Sequence, residues 1–366
     1  MNILITGTNG FLGKNLVTSL MRDKRFNIYT LSNKENFDEL APIQELDTII
    51  HLAGVNRADT YSDFYSGNVE LTEDLLNFFG AKKIFPNVIF SSTKHIDRGD
   101  HYGNSKKLAE ELIENFCKKN SRIFSILRFP NLYGKWCRPH YNSVVATFCH
   151  NIALNKSIQI DDKDTILELL HVDDAVEEIR SLLSSDLSTI KKEFDHVDTC
   201  SIGDLASLIR SFKIQHSTSF IPDFSNQFLK KLYSTFITYL PLEKIIYELP
   251  TKQDERGFLS EIIKSNQAGQ IFFSVTKPGI TRGNHYHDQK MEKFILIKGE
   301  GLLEMRDIFS KELKTYQLSE KLLQVVDIPN GKTHKITNTG SDEMIVLFWA
   351  NEIFDDSNPD TYHLEV

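Results

Sequence analysis

The chain has 366 residues, of which 40% are hydrophobic and 25% charged, and its formal net charge is −8 at pH 7. This length favours two domains, and the composition is ordinary for a globular protein. The acidic balance argues against general nucleic-acid binding, although a local basic pocket could still hold a nucleotide. No apolar run reaches the roughly 18–20 residues that span a bilayer, and residues 1–6 have the pattern of a strand rather than a signal peptide. With four scattered cysteines, we expect reduced thiols, a cytoplasmic location and no nucleic-acid or membrane partner.

The first 200 residues alternate short apolar runs with helical patterns. Strands are predicted at 2–6, 27–31, 48–52, 87–90 and 124–127, and helices at 11–21, 65–79, 105–119 and 201–215. Continuously apolar strands that alternate with helices predict an α/β Rossmann-type fold, with a doubly wound parallel sheet covered on both faces. Residues 221–249 have no regular pattern, and we interpret them as a packed connector that contains the domain boundary. The predicted domains are 1–245 and 246–366.

From about residue 253 the pattern changes to short β-rich runs separated by Gly, Pro or charged turns. The runs lie at 270–276, 293–298, 301–305, 322–328 and 344–349. Regular short strands of this kind predict a sandwich or a barrel. The second domain is therefore expected to be all-β.

A glycine-rich turn follows the first predicted strand and opens the first helix. Gly7, Gly10 and Gly13 allow a tight turn and a close backbone approach to a pyrophosphate at the helix N-terminus. A P-loop does not fit, because five residues separate Gly7 from Gly13 and Lys14 is followed by Asn15. The turn therefore predicts a dinucleotide site, against the less favoured alternative of a purely structural turn.

The end of the second strand bears on the choice of cofactor. NAD-binding folds usually place an acid there for the ribose 2′-hydroxyl, whereas this chain has Leu31, Ser32, Asn33 and Lys34 before its first acid. Ser32 and Lys34 could instead receive a 2′-phosphate. We therefore predict NADPH rather than NADH.

Tyr102 and Lys106 are four residues apart, which places both side chains on one face of a helix. We expect the ammonium to favour the phenolate and to lower the pKa of Tyr102 from about 10 toward neutrality. Tyr102 could then protonate a carbonyl oxygen while a hydride arrives at carbon. The strand at 88–90 ends in hydroxyls at Ser91, Ser92 and Thr93, which would place a donor near the same carbonyl.

These motifs together resemble the extended short-chain dehydrogenase/reductase family, whose members act largely on nucleotide sugars. The similarity rests on the glycine turn, His51-Leu-Ala-Gly54, the hydroxyl triplet, Tyr102-x-x-x-Lys106, Arg128-x-x-Asn131-x-Tyr133-Gly134 and His171-Val-Asp-Asp174. The resemblance implies a catalytic triad of Thr93, Tyr102 and Lys106, with Ser92 as the fallback hydroxyl. It implies substrate contact by Asn131 and cofactor contact by further residues of the motifs: Phe11, Leu12, Leu52, Ala53 and Gly54. Asp173 and Asp174 fit an N-cap of a helix equally well.

A candidate metal site lies near the end of the chain. His285 and His287 are two apart and would face the same side of a strand, while Glu292 and His334 would lie on later strands. Four convergent N and O ligands suit zinc, and also manganese, iron or nickel. With Gly279, Gly299, Pro329, Gly331 and Asn338 at the matching spacings, the pattern resembles both halves of the cupin signature. That resemblance implies a cupin barrel that holds one divalent metal, with zinc as its suggestion.

A second resemblance overlaps this region. Asp254-Glu-Arg256-Gly257-Phe258-x-x-Glu261, Lys277 and Arg282-Gly283-x-His285 are similar to motifs of the deoxysugar 3,5-epimerases. It implies that Arg256, Lys277 and Arg282 bind substrate, with the arginines on the nucleotide diphosphate. The histidine at the last position is the base in that family, but here His285 is also the expected first metal ligand. The epimerisation base therefore stays open between a metal-bound water and another side chain.

The order of the two domains resembles the bifunctional enzymes of bacterial capsule synthesis over the whole chain. The resemblance implies a 4-keto-6-deoxy UDP-HexNAc substrate, UDP-2-acetamido-2,6-dideoxy-β-L-arabino-hex-4-ulose. It implies epimerisation at C3 in the cupin domain and reduction at C4 to UDP-2-acetamido-2,6-dideoxy-β-L-talose, a step toward UDP-N-acetyl-L-fucosamine. It also implies a homodimer formed through the cupin domain. Two alternatives remain: a redox-sensing regulator, which would typically lack the Tyr/Lys pair, and a single-activity reductase whose cupin serves dimerisation.

Overall fold

The structure is a computed structural model of the whole chain. It describes residues 1–31, 37–184, 188–194, 197–217, 221–248, 252–254, 257–259, 270–352, 357 and 359–366, with only the backbone described at 252–254, 257–259 and 270. The chain forms two compact units, one of residues 1–147 and 165–201 and the other of residues 148–164 and 202–366.

The first unit contains a six-stranded parallel sheet in the order β2-β1-β3-β4-β5-β8 and a small sheet in the order β6-β7-β9. Its strands are β1 (Asn2–Thr6), β2 (Asn27–Leu31), β3 (Thr48–His51), β4 (Asn87–Thr93), β5 (Phe124–Phe129), β6 (Asn131–Tyr133), β7 (Ile166–His171), β8 (Ile190–Glu193) and β9 (Asp198–Ser201). Its α-helices are α1 (Phe11–Leu20), α2 (Tyr61–Phe64), α3 (Leu71–Ala81), α4 (His101–Lys119), α5 (Val144–Ala153) and α6 (Val172–Ser184), of which α5 runs across the division between the units.

The parallel register places the functional motifs at one edge of the main sheet. Thr6 at the end of β1 is aligned with Leu31 on one side and His51 on the other. The strand order reverses direction at β1, and parallel folds bind ligands at such a switch point beyond the carboxyl ends of the strands. Strands β1, β3 and β4 are almost entirely buried, as the continuously apolar runs predicted.

The second unit combines two helices with antiparallel sheets. The helices are α7 (Ile202–Ser217) and α8 (Gln227–Thr238). The strands are β10 (Ile246–Glu248), β11 (Lys252–Asp254), β12 (Gly257–Leu259), β13 (Gln270–Thr276), β14 (Thr281–Tyr286), β15 (Glu292–Lys298), β16 (Glu300–Asp307), β17 (Lys314–Ser319), β18 (Gln324–Ile328), β19 (Lys332–Asn338), β20 (Met344–Ala350) and β21 (Tyr362–His363). Two five-stranded sheets have the orders β10-β18-β15-β20-β13 and β17-β16-β19-β14-β21, and β11 pairs with β12.

The predicted fold class is confirmed in both halves, with one difference in the second. Among the described strands, hydrogen bonding forms two separate five-stranded sheets and does not close into a single barrel. Buried residues alternate along β16, where Leu303 and Met305 are buried, whereas β18 is buried continuously from Val325 to Ile328. The architecture is therefore that of two antiparallel sheets with a shared apolar core.

Residues 221–249 are not irregular as predicted, because they contain α8 and β10. Asn226 caps α8 by accepting a hydrogen bond from the Leu229 backbone, and Leu232 and Phe236 bury one face of the helix. An N-cap followed by apolar residues four apart is a helix signal that the sequence carried. Residues 202–245 pack with the second compact unit rather than with the first. The boundary at 245 stays a prediction, since compactness alone does not define where each functional domain ends.

Across the described residues, no helix combines the length and the apolarity that a membrane span requires.

Candidate functional site

The glycine turn after β1 is packed too closely for any side chain. Gly7 has a φ of +71°, and a Cβ there would lie 2.7 Å from the backbone nitrogen of Ala53. A Cβ on Gly13 would lie 2.2 Å from the carbonyl oxygen of Gly7. The turn therefore exposes backbone at the start of α1, where a pyrophosphate would be held by N–H groups. This close packing fits a dinucleotide.

The backbone that packs against that turn is held by hydrogen bonds around His51. The Thr6 hydroxyl accepts from the backbone N–H groups of Leu52 and Ala53, at 3.2 and 3.1 Å, and lies 2.7 Å from His51 Nδ1. The Thr72 hydroxyl donates to the Asn68 carbonyl at 2.6 Å and lies 3.0 Å from His51 Nε2. Thr6 thus donates to Nδ1, and Nε2–H donates to Thr72. Burial lowers the pKa of His51 to about 3, so the ring is neutral.

Tyr102 faces the cavity beyond the strand ends and shares a hydrogen bond with Thr93. Burial raises the pKa of Tyr102 to about 12, although the Thr93 hydrogen bond acts in the opposite direction. The expected lowering toward neutrality is therefore wrong in this structure. The four-residue spacing of Tyr102 and Lys106 predicts that they share one face of the helix. It does not predict the desolvation of Tyr102, which disfavours the phenolate. A phenol that keeps its proton at neutral pH is suited to protonating a carbonyl oxygen.

Lys106 is buried on the same helix, α4. Its ammonium nitrogen lies 4.0 Å from the centroid of the Phe90 ring. Burial lowers the pKa of Lys106 to about 7, while the nearby Glu110 carboxylate raises it. A cation held in so apolar a place is poorly solvated, so it interacts strongly with any oxygen brought near it.

The sequence did not indicate the role of Asn68. It lies in a π-helical segment, Tyr65–Glu70, which often marks a functional position in a helix. Its amide donates to the Ser105 hydroxyl at 2.9 Å and to the Val55 carbonyl at 2.9 Å. Asn68 therefore ties α4, which carries Tyr102 and Lys106, to the loop after β3.

Ser92 is committed to a structural partner. Its hydroxyl donates to Glu110 Oε1 at 2.5 Å, and Arg128 donates to the same carboxylate with Nη2 at 2.8 Å and Nε at 3.1 Å. The fallback role for Ser92 is thus less favourable than the role of Thr93, which contacts Tyr102. For Asp173, the sequence left open whether it serves the family motif or caps a helix. It lies in the first turn of α6 and pairs with Lys135 at 2.8 Å.

One cavity of about 660 Å³ is lined by Asn68, Ser92, Thr93, Tyr102 and Lys106. Most of the predicted residues border it: Gly7, Gly10, Phe11, Leu12, Gly13, Leu52, Gly54, Ser92, Thr93, Tyr102, Lys106 and Asn131. Ala53 instead packs its backbone against Gly7. Ser32 and Lys34 lie outside the described residues. The cavity also includes residues that we did not predict, among them His95, Trp136, Arg138 and Tyr141.

The structure brings the four predicted metal ligands together. His285 is the penultimate residue of β14 and follows a β-bulge, His287 comes directly after that strand, Glu292 begins β15 and His334 lies in β19. One potential ligand atom from each lies within 4.8 Å of all the others. Glu292 Oε2 is 3.1 Å from His287 Nε2 and 3.9 Å from His334 Nε2.

The outer nitrogen of each imidazole faces a backbone carbonyl. His287 Nδ1 lies 2.7 Å from the Asp360 carbonyl oxygen and His334 Nδ1 lies 3.4 Å from that of Lys332, while Gly283 serves His285 in the same way. Such contacts place the protons on the outer nitrogens and turn lone pairs inward. Lone pairs and a carboxylate that converge repel one another unless a cation lies among them. The cluster therefore fits a divalent metal.

The electrostatics favour neutral rings at His285 and His334 and an ionised carboxylate at Glu292. Burial lowers the pKa of His285 to about 4 and that of His334 to about 3. Burial alone would raise the pKa of Glu292, but His287, His334 and Lys290 together lower it to about 2. These are the protonation states in which such side chains bind metal.

A second cavity, of about 400 Å³, opens onto this cluster. Its walls are largely aromatic: Phe272, Phe294 and Phe348. Arg282 lines it and is held by Thr276 Oγ1 at 2.9 Å and the Val275 carbonyl at 3.0 Å. Ser274 also lines it, and among the described residues its buried hydroxyl has no hydrogen-bond partner.

One predicted substrate residue does not line the described part of this cavity, a second cannot be placed, and one positioning residue was missed. Lys277 is exposed after β13 and does not line the described part of the cavity, and Arg256 lies outside the described residues. Asp360, in contrast, accepts backbone hydrogen bonds from Asp288 and Gln289 in addition to its contact with His287. Asp360 lies far from His287 in the sequence, so the spacing of the histidines did not predict its contact with them.

Comparisons with known proteins agree with both halves. The NAD dependent epimerase/dehydratase family matches residues 3–193, and the polysaccharide biosynthesis C-terminal domain matches residues 252–362. The UDP-2-acetamido-2,6-beta-L-arabino-hexul-4-ose reductase of Pseudomonas aeruginosa is 34% identical over 368 residues, covering 100% of this chain and 99% of the relative. Agl13 of Haloferax volcanii, inferred to be a low-salt glycan biosynthesis epimerase, is 25% identical over 127 residues, covering 31% of this chain and 81% of that protein.

The crystal structure of the capsular polysaccharide assembling protein CapF from Staphylococcus aureus is similar over the full length of both chains, with 37% identity and a TM-score of 0.65. Full-length similarity to two proteins above 30% identity covers both units and their order. The chain therefore belongs to the NAD dependent epimerase/dehydratase family, and over its whole length to the CapF-like proteins that join this domain to a polysaccharide biosynthesis C-terminal domain.

Proposed function

We propose that the chain is a bifunctional nucleotide-sugar enzyme of polysaccharide synthesis. It epimerises C3 of UDP-2-acetamido-2,6-dideoxy-β-L-arabino-hex-4-ulose in the C-terminal cavity and reduces the C4 ketone with NADPH in the N-terminal cavity. The product is UDP-2-acetamido-2,6-dideoxy-β-L-talose. The observation that carries the reductase half is the arrangement of Tyr102, Thr93 and Lys106 around one cavity, together with the full-length similarity to a reductase of an arabino-hexul-4-ose.

Each residue of the N-terminal cavity has a defined part in the reduction. When bound, the nicotinamide supplies the hydride. Tyr102 gives its proton to the ketone oxygen, so that a carbonyl becomes a hydroxyl with one added hydride and one added proton. Thr93 holds that oxygen beside the phenol, and the buried ammonium of Lys106 stabilises the phenolate left on Tyr102.

The choice of NADPH over NADH rests on Ser32 and Lys34, which follow β2 in the sequence. A hydroxyl and an ammonium favour a 2′-phosphate, and an acid in that position would repel it. Initial rates with both cofactors test this part of the proposal. Equal or better kcat/KM with NADH would contradict it.

The C-terminal cavity supports the epimerase half. His285, His287, Glu292 and His334 would hold one divalent metal, for which we propose zinc, and the metal would supply Lewis-acid polarisation. Arg282 offers a guanidinium to the substrate diphosphate, and the aromatic walls exclude water. Apart from the four ligands, the described lining contains no carboxylate, imidazole or amine that could act as the base.

A second candidate function is a single-activity reductase whose C-terminal unit serves mainly for dimerisation. One observation favours a dimer in either case. On β13, which lies at the edge of its sheet among the described strands, Ile271 is 54% exposed and Phe273 is 65% exposed, with Val275 on the same face. Exposed apolar residues in a row along an edge strand are typical of an interface, and we propose a homodimer formed there.

Separation of the two reactions tests the proposal. Tyr102→Phe should abolish NADPH oxidation and leave deuterium from the solvent entering C3 of the 4-keto sugar, which NMR detects without cofactor. Glu292→Gln should give the opposite result, with C3 exchange lost and reduction retained when the ketone is supplied already epimerised at C3. No C3 exchange with the wild-type protein would favour the single-activity alternative, and loss of exchange in Tyr102→Phe would contradict the division of labour.

A further inference from the structure

A third cavity lies entirely within the second unit, apart from the residues of both sites above. It has a volume of about 730 Å³ and lies between the end of α5, the last turns of α7 and residues 240–248. Its charged lining consists of four cations, Lys156, Arg210, Lys213 and Lys244, and two acids, Glu243 and Glu248. We call it the cationic cavity. An excess of two positive charges is notable in a chain with a net charge of −8.

Two of the lysines are held near each other by neutral acceptors. Lys244 Nζ donates to the Ala153 carbonyl at 3.1 Å, and Lys213 Nζ donates to the Asn155 side chain. Partial burial lowers the pKa of Lys213, and the charge of Lys244 lowers it further. The two ammonium groups thus repel each other, and neither tether is an anion. An anion between them would remove that repulsion.

The other two cations are available for a ligand. Arg210 lies on the exposed part of α7, and Lys156 follows α5. Among the described residues, neither side chain has an ion-pair partner. An arginine fork beside lysine point charges is the combination that binds phosphate oxygens.

A rigid buried network forms one wall of the cavity. His216 Nε2 lies 3.0 Å from the Lys244 carbonyl oxygen, and His216 Nδ1 lies 2.9 Å from Asp327 Oδ2. Asp327 also pairs with the buried Lys293 at 2.8 Å. The backbone of Lys244 is therefore fixed against α7 and β18, which sets the position from which its side chain extends into the cavity.

We propose that the cationic cavity binds a small phosphate-bearing anion at a site separate from both reaction centres. The shared chemistry is a phosphate dianion, which could come from free phosphate or from a nucleoside monophosphate. The volume accommodates either. Arg210 and Lys213 provide hydrogen bonds to the phosphate oxygens, and Lys156 and Lys244 add charge.

Binding to the full chain tests this proposal, with the nicotinamide site saturated by NADP⁺ so that the glycine turn is occupied. Isothermal titration is carried out with inorganic phosphate and, separately, with UMP. The Arg210→Met/Lys213→Met variant should bind at least about tenfold more weakly, because two charge-assisted hydrogen-bond donors are lost. Lys107→Met is the matched control, since Lys107 is an exposed lysine on α4, and it should bind like the wild type.

The two ligands distinguish the source of the phosphate. Tighter binding of UMP that is lost in the double variant would assign the site to nucleotides, and equal binding would assign it to free phosphate. Both substituted side chains border the solvent, so the variant should keep the circular dichroism spectrum of the wild type. The proposal is overturned if neither ligand binds to the wild type, or if the double variant binds both as the wild type does.

Discussion

The ionic network behind the catalytic strand should control both stability and rate. Glu110 on α4 receives hydrogen bonds from Ser92 on β4 and from Arg128 on β5. The side chain of Glu110 is 2% exposed and that of Arg128 is 19% exposed. Glu110 lies one helical turn from Lys106, and Ser92 is adjacent to Thr93. The network therefore fixes the position of α4, which carries Tyr102 and Lys106, along β4.

Glu110→Gln keeps the shape of the side chain and removes its charge. Breaking a buried ion pair by removing one partner costs about 3–5 kcal/mol. Arg128 keeps Glu193 at 3.2 Å, so we expect a loss near the lower value, about 3 kcal/mol. Arg128→Met should cost more, since among the described residues the buried carboxylate would keep Ser92 and a lysine 3.8 Å away as its partners. The double variant should lose less than the sum, because the remaining charge is removed as well.

The rate should fall with the stability. A shift of about 1 Å between α4 and β4 would separate Tyr102 from Thr93 and lower kcat about 100-fold, with a smaller effect on KM. Urea unfolding and NADPH oxidation measure the two quantities. Asp97→Asn is the control, because its side chain is 82% exposed and 3.9 Å from Lys107, and it should stay within about 1 kcal/mol of the wild type. A Glu110→Gln protein as stable and as active as that control would refute the reasoning.

Four further predictions concern other parts of the molecule. Removal of metal by a chelator should lower the melting temperature of the wild type and leave Glu292→Gln unchanged, as followed by calorimetry with metal analysis; an equal shift in both would contradict the ligand assignment. His51 has a pKa near 3 when folded and about 6.5 when unfolded, so the stability from its neutral ring is full above pH 6.5 and is lost as the pH falls toward 3. His51→Gln should therefore lose about 1.4 kcal/mol less per pH unit in that window, and equal slopes would argue against a buried neutral ring. Ser274→Ala should reduce C3 exchange about three- to tenfold by loss of one hydrogen bond at unchanged metal content, whereas unchanged exchange would place its hydroxyl away from the substrate. Phe273→Asp should shift a dimer toward monomer in sedimentation, and an unchanged mass would move the interface elsewhere.

The sequence predicted the fold well where one physical requirement dominates. A parallel strand buried on both faces must be continuously apolar, so β1 and β3 could be located almost to the residue. The helix α8 was missed because a stretch rich in Phe, Leu and Tyr was judged by composition. Its period of about four residues, seen at Leu232 and Phe236, carried the signal.

Some features of the candidate sites could likewise be predicted from the sequence, and others could not. The convergence of the candidate metal ligands followed from spacing, because strand geometry and turns fix where His285, His287 and Glu292 point. The pKa of Tyr102 did not follow, since desolvation depends on residues far away in sequence. Ser274 was also not predictable, because a hydroxyl between Phe272 and Thr276 gives no indication of which face of β13 meets a cavity.

Both proposed reaction centres hold a buried charge that the protein compensates only in part. The ammonium of Lys106 lies against the Phe90 ring, and its burial there lowers the pKa of Lys106. At the metal cluster, backbone carbonyls fix the outer nitrogens of three imidazoles, so that lone pairs converge on an ionised Glu292. A folded protein retains such arrangements where a ligand relieves them, because otherwise an apolar replacement would be more stable. The buried pair of Glu110 and Arg128 is the contrasting case, since its charges and hydrogen bonds are satisfied within the protein and its role is to hold α4 in position.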